Sequence, residues 1–187
     1  MFFNNIKKLF KSNNFHYFKF KKSESTMIDA KQYIEKGYKN FVIFANQQTA
    51  GKGRRGNKWI SPPGNLYCSI VIENNLELRQ HFLYSMIVSL SIQKTIKYFC
   101  PKKIEFKWPN DIFYNKKKFA GMILEHYQLT KKEKFVIIGL GLNYDSSPSN
   151  QRYKTTFLKE FLEINSIYNF INIFFDIFFD FLKNLNL

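Results

Sequence analysis

The sequence predicts an α/β domain of the α+β type, a mixed β-sheet with helices packed on it, and three observations lead there. At 187 residues, 45% of them hydrophobic, the chain is long enough to bury a core without disulfides or a metal and short enough to be one domain. Its periodicities run strand, helix, strand, loop, strand, helix, several strands and a terminal helical segment. That order breaks the regular alternation of a parallel βαβ sheet and fits helices laid on one face of a mixed sheet. No internal repeat interrupts it.

Residues 1–11 mix apolar side chains with Asn and Lys and lack both a long apolar run and a small-residue cleavage site, so they do not read as an export signal. Residues 15–21 alternate aromatic with polar or basic side chains, a strand pattern, and lead into Ser23-Glu24-Ser25-Thr26. That hydroxyl cluster suits the start of a helix over 27–36, which Gly37 stops. A strand follows at 41–45. Residues 46–65 form a long irregular stretch, and a loop of that length in a compact domain is usually functional or disordered. Its glycines and charges favour function. Strand 66–73 precedes a helix over 79–99, spaced through Phe82, Met86, Val88, Leu90, Ile92 and Ile96 and closed by Pro101. Strands at 103–107, 112–114, 118–126 and 134–143 come next, with residues 114–118 as a hairpin turn. The Phe-rich end carries Asn165, Asn169, Asn172, Asp176, Asp180 and Lys183 every three or four positions. It therefore reads as an amphipathic helix over about 157–184, packed on a core at 15–145, and not as a membrane span, where two carboxylates are costly.

The formal charge of +15 and isoelectric point near 9.7 raise nucleic acid as a partner. The excess, however, is mostly Lys scattered among Asn, Ile, Phe and Tyr, which is compositional drift more than one basic face. A basic RNA-binding domain stays a rival reading. Cys68 and Cys100 lie in apolar stretches without CxxC or metal-type spacing to His16, His81 or His126. They read as structural thiols of a reducing cytoplasm, with no resident metal.

Four segments carry chemistry. Gly51-Lys52-Gly53-Arg54-Arg55-Gly56-Asn57-Lys58-Trp59 spaces three glycines among cations, so that its backbone can lie close to an anion. It is neither a Walker loop nor a dinucleotide fingerprint, since neither the terminal Lys-Ser/Thr nor the strand-turn-helix setting is present; a solvated basic turn is the bland alternative. Lys107-Trp108-Pro109-Asn110-Asp111 ends a strand and can aim polar side chains into one cleft, although Asp111 can equally cap a turn and Trp108 can be core. Lys118 precedes small residues and a buried strand, where a lysine can hold a carboxylate or an α-phosphate, or be one of three hairpin lysines in a row. Gly139-Leu140-Gly141-Leu142-Asn143 lets the backbone approach a ligand or a neighbouring strand and places Asn143 where the strand leaves the sheet.

In this order the segments resemble the catalytic domain of the biotin protein ligases, also called biotin-[acetyl-CoA-carboxylase] ligases. The residues that carry the likeness are Gln48 to Gly56, Trp59, Ser61-Pro62, Asn65-Leu66-Tyr67, Lys107 to Asp111, Lys118 to Gly121 and Gly139 to Asn143, with Ser25-Thr26 at the family's first biotin-contacting hydroxyls. The resemblance implies a fold shared with class II aminoacyl-tRNA synthetases and a reaction in two steps. Biotin and ATP give biotinyl-5'-AMP, and biotin then passes to a lysine of the biotin carboxyl carrier protein. It implies Lys118 and Arg54 as catalytic; Ser25, Thr26, Gln48, Lys52, Gly53, Arg54 and Lys118 around biotin; and Arg54, Arg55, Trp59, Asn110, Asp111 and Asn143 on the nucleotide side. Mg2+ would arrive with ATP, with Asp111 placed to meet it or the incoming lysine. Closing the glycine loop would keep water from the adenylate.

The sequence departs from the family's pattern at Lys52, where Arg is common; the charge stays and the bidentate fork is lost. Residues before Ser23 are too few for the winged-helix domain of repressor-type members, so no operator binding is expected, and no small β-barrel domain is expected after the terminal helix. A lipoate or octanoate ligase of related fold and a remnant that binds without turnover are the alternatives. No residue pattern fixes an oligomeric state; the terminal apolar face and a free sheet edge are where a dimer contact would form.

Overall fold

The computed structural model describes residues 2–73, 82–149 and 153–185, residues 2–4 by their backbone only. Seven strands form one sheet in the order β1-β2-β3-β7-β6-β5-β4: β1 His16–Phe20, β2 Phe41–Ala45, β3 Leu66–Glu73, β4 Glu105–Lys107, β5 Asp111–Tyr114, β6 Lys117–Gln128 and β7 Lys134–Leu142. Only β1 and β2 are parallel; every other neighbour is antiparallel, so the sheet is mixed as expected. The β5–β6 hairpin turns on Asn115 and Lys116, both with positive φ, the backbone that a two-residue turn needs to match strand twist.

Helices lie on both faces, not one. β2 is buried throughout and divides its side chains by parity: Val42 and Phe44 enter the larger core, Phe41 and Ile43 the smaller. The larger core is covered by α1 Phe2–Ser12, α3 Phe82–Phe99 and α5 Ile167–Asn184; among the described residues α2 Thr26–Glu35 is the helix that covers the smaller. Residues 79–81 of the expected third helix lie outside the described residues. Within α3, Phe82, Met86 and Leu90 are exposed, whereas Ile87, Val88, Ile92 and Ile96 are buried. Half of the apolar spacing read as core therefore faces outward.

α1 was not expected. Its signal is short: Ile6, Leu9 and Phe10 fall at helical spacing, and the Phe10 ring meets Phe175 at 4.9 Å and Phe179 at 5.3 Å between centroids. The terminal helix expected over about 157–184 is two helices. α4 Leu158–Phe161 ends at Leu162, whose backbone is extended, and α5 restarts after Ser166, whose side chain accepts from the Tyr168 N–H. The extended break buries both Leu162 and Ile164 and lets the Tyr144 hydroxyl donate to the Ile164 carbonyl at 3.0 Å. α5 then buries Phe170, Phe174, Phe175, Phe178 and Phe179 and exposes Asp176 and Asp180. Among the described residues no helix is long and apolar enough to cross a membrane.

Candidate active site

The sheet supplies a floor on the α2 side. Tyr67, Gly141, Gly121 and Asp111 stand in one register row across β3, β7, β6 and β5; Ser69, Gly139 and Ile123 form the next row on the same face. The glycines are required by what lies on them. A Cβ at Gly141 would overlap the Trp59 indole, and one at Gly139 would sit 2.6 Å from Met27 Sδ. Tyr67 anchors the row's edge: its hydroxyl donates to the Pro62 carbonyl at 2.8 Å, and burial pushes its pKa up to about 12, keeping it a neutral donor.

One end wall is the start of α2. Ser25 holds the N-cap position but makes no cap hydrogen bond. Instead Gln48 Oε1 accepts from the Thr26 N–H at 2.9 Å and from Thr26 Oγ1 at 3.2 Å. Gln48 Nε2 donates to Ser61 Oγ at 3.0 Å, and Ser69 Oγ to Thr26 Oγ1 at 2.8 Å. The cap is thus provided from 22 residues away, which leaves the fully buried Ser25 Oγ without a protein partner.

The glycine segment folds into a hairpin over the floor. Trp59 N–H donates to Gly51 O at 2.8 Å and Gly53 N–H to Asn57 O at 2.6 Å, around a short turn at Arg54–Gly56. Of its three glycines only Gly56 has positive φ; Gly51 is needed for close approach, since a Cβ there would lie 2.5 Å from Trp59 O. From this hairpin Arg54 Nη1 donates to Asn110 Oδ1 at 2.8 Å, and Asn110 Nδ2 donates to Asp111 Oδ1 at 3.0 Å. Asp111 Oδ1 pairs with Lys118 Nζ at 2.7 Å. Lys118, 7% exposed, is flanked by the Trp59 and Tyr153 rings at 5.1 and 5.0 Å. Its backbone is fixed by residues 154–156: Lys118 N–H donates to Lys154 O and accepts at its carbonyl from Thr156 N–H.

Ser25, Thr26, Gln48, Lys52, Gly53, Arg54, Trp59, Asn110 and Lys118 line one cleft enclosing about 470 Å³, part of it open to solvent. A second cavity of about 290 Å³, lined by Asn143 and Tyr153, shares Trp59 and Lys118 with it. Lys118 therefore stands where the two meet. Arg55 is exposed on the outer turn with φ 54° and belongs to neither. Trp59 Nε1 and Asn143 Oδ1, like Ser25 Oγ, are buried without a protein partner. Sequence reasoning missed the apolar contribution of Met27 and Ile123, the Ser69 link and Tyr153. Ser69 had a signal, a hydroxyl inside an otherwise apolar strand; Tyr153 had none.

A glycine floor, a polar end wall and a buried lysine shared by two cavities give the domain an enclosed cleft with a cation at its junction. The chain belongs to the biotin/lipoate A/B protein ligase family, whose model matches residues 17–143. It is 30% identical over 108 residues to the biotin-[acetyl-CoA-carboxylase] ligase of Paracoccus denitrificans, a match covering 57% of this chain and 45% of that protein. It is 33% identical over 103 residues to the bifunctional ligase/repressor BirA of Escherichia coli K12, covering 54% and 32%. The match thus spans less than half the length of either curated relative. Among solved structures, biotin protein ligase from Leishmania major in complex with biotin superposes with a TM-score of 0.71 at 26% identity, over 89% of this chain and 73% of that one. The Aquifex aeolicus biotin protein ligase in complex with biotin and ATP shares the fold, with a TM-score of 0.75 at 24% identity over 91% and 71%.

Proposed function

We propose that this chain is an ATP-dependent biotin protein ligase, which forms biotinyl-5'-AMP and then transfers biotin to a lysine of the biotin carboxyl carrier protein of acetyl-CoA carboxylase. The observation that carries the reading is Lys118, buried where two cavities meet and paired with Asp111 at 2.7 Å. In the first step a biotin carboxylate oxygen bonds to the α-phosphorus of ATP and the bond to pyrophosphate breaks. Two anions must approach each other, and a fixed cation at their meeting point lowers that barrier. Asp111 holds the Lys118 ammonium in place, and Arg54, tied through Asn110 to Asp111, holds the basic hairpin over the reacting groups. In the second step an uncharged lysine amine attacks the acyl carbonyl, forming an amide, expelling AMP and releasing a proton.

The end wall selects the head group. Ser25, Thr26 and Gln48 place hydroxyl and amide groups against a ureido ring, and Ser25 Oγ gains the partner the protein does not give it. Lys52 and Gly53 flank the biotin chain, while Trp59, Asn110 and Asn143 line the nucleotide side. Arg55 stands outside both cavities, so its part in nucleotide binding requires the hairpin to turn inward. Mg2+ would be carried by the ATP phosphates, with Asp111 the carboxylate placed to meet it. Among the described residues no group of three or more His, Cys, Asp or Glu gathers to hold a metal, and one carboxylate, Asp111, suits an ion carried mainly by phosphate and water. We place the reaction in the cytoplasm; Cys68 and Cys100 are free thiols, and burial raises the pKa of the first well above its ordinary range.

Lipoate is the specific alternative, since the family includes its ligases. Its dithiolane offers nothing to a buried hydroxyl, and each stranded polar group costs ~1–3 kcal/mol. Pyrophosphate release from ATP by the purified chain is expected to require biotin, to fall ~100-fold or more with lipoate, and to fall ~100–1,000-fold in Lys118→Ala. Biotin binding without any pyrophosphate release would instead mark a binding protein.

A further inference from the structure

Beside the cleft lies an apolar groove of about 580 Å³ between α3 and the β4–β5 turn. Its helical wall is the exposed stripe Phe82, Met86 and Leu90, three positions four residues apart, with Ser85 and Ser89 between them. Its other wall is Phe106 and Trp108, and Trp108 is 82% exposed. α3 is thus apolar on its inner face, where it meets the core, and again on its outer face, where nothing in the chain covers it among the described residues. Large exposed aromatics and methionine gathered in one groove have the composition of a protein contact.

We propose that this groove is the docking shelf for the acceptor protein of the second step, a domain apolar at its contact and acidic around it, which presents a lysine to the cleft. The inference rests on the ligase reading above and adds to it where the acceptor lands. Continuity decides the occupant. Asn110 and Asp111 line the groove, and they also form the chain that joins Arg54 to Lys118 in the cleft. A protein seated on the shelf therefore has its border at the Asp111–Lys118 pair, where the acyl group awaits the amine. Charge gives the acceptor's character: Lys107 lines the strand wall of the groove, and Lys52 and Arg54 line the adjoining cleft. An isologous pair of chains on this groove would instead lay a second copy across the acceptor's approach.

The test separates docking from chemistry. Met86→Glu and Ser89→Glu each place a negative charge on the shelf, the second without removing an apolar side chain. The purified chain and both variants are assayed for pyrophosphate release, for transfer to hydroxylamine as a small nucleophile, and for transfer to a purified biotin carboxyl carrier domain. The first two rates are expected within about twofold of the unmodified chain, while kcat/KM for the carrier domain falls about tenfold or more. Should Met86→Glu also lose pyrophosphate release, its fold is damaged and Ser89→Glu decides by the same criterion. Carrier transfer unchanged in the variants overturns the shelf and leaves the ligase reading standing. So does a shift from dimer to monomer in sedimentation with carrier transfer intact, which would assign the groove to a second copy. An unmodified chain that releases no pyrophosphate with biotin overturns the ligase reading and the shelf with it.

Discussion

Ser25 and Gln48 have exchanged the parts their positions in the chain suggest. A serine before a helix ordinarily accepts from the first turn's N–H groups, and replacing such a cap with Ala costs ~1 kcal/mol. Here that bond is made by Gln48, and Ser25 Oγ is buried without a partner. The two substitutions should therefore separate stability from binding. Ser25→Ala is expected to leave unfolding free energy unchanged or slightly raised, because it removes a buried unsatisfied hydroxyl, yet to weaken biotin binding ~10-fold or more. Gln48→Ala is expected to lose ~1–2 kcal/mol of stability as well as affinity, since it uncaps α2 and strands Thr26 and Ser61. Urea unfolding beside biotin titration calorimetry checks both; a Ser25→Ala loss of 1 kcal/mol or more would show that the serine caps after all.

Among elements, β6 and β7 make the site by what they omit. Gly121 and Gly141 are cross-strand partners on the α2 face, and the Trp59 indole lies on both: a Cβ at Gly121 would meet it at 3.0 Å and one at Gly141 would overlap it. Gly141→Ala is expected to lift Trp59 off the sheet, shift its fluorescence to the red and lower pyrophosphate release at least ~10-fold, while the strands themselves keep their pairing because Ala is tolerated there. Unshifted fluorescence with full turnover would show that the indole has room the geometry denies it. The strands were legible in the sequence because their alternation and their flanking turns are local. The side of the sheet that each helix covers was not, since it depends on how β2 divides Phe41 and Ile43 from Val42 and Phe44. The break at Leu162 to Ser166 was hidden for a similar reason. The local signal is slight, a single cap residue Ser166 inside an apolar run, and the tertiary bond from Tyr144 to Ile164 favours the extended form. The cleft residues were legible as motifs, but the relay from Arg54 through Asn110 and Asp111 to Lys118 begins with a bond between positions 56 residues apart, and the fold alone brings them together.

For the whole molecule, the net charge of +15 is the property that the site does not use up. A cationic surface draws an acidic protein through long-range attraction, which acts on the encounter rate and is screened over ~8 Å at physiological salt. The two half-reactions of the proposed ligase activity let that effect be isolated. With the acyl-adenylate already formed on the chain, the rate of transfer to a carrier domain is expected to fall ~3-fold or more as salt rises from ~50 to ~300 mM, whereas transfer to neutral hydroxylamine stays constant. Equal salt response for both acceptors would place the charge's effect inside the cleft and not on the encounter. A salt-insensitive carrier rate, together with affinity for RNA that falls linearly in log-log with salt, would instead direct the surface charge to nucleic acid, since neutralised phosphates release counterions in proportion to their number. A protein acceptor is the expected one because Lys107 lines the groove and Lys52 and Arg54 line the cleft, so these cations border the route proposed for the acceptor's amine.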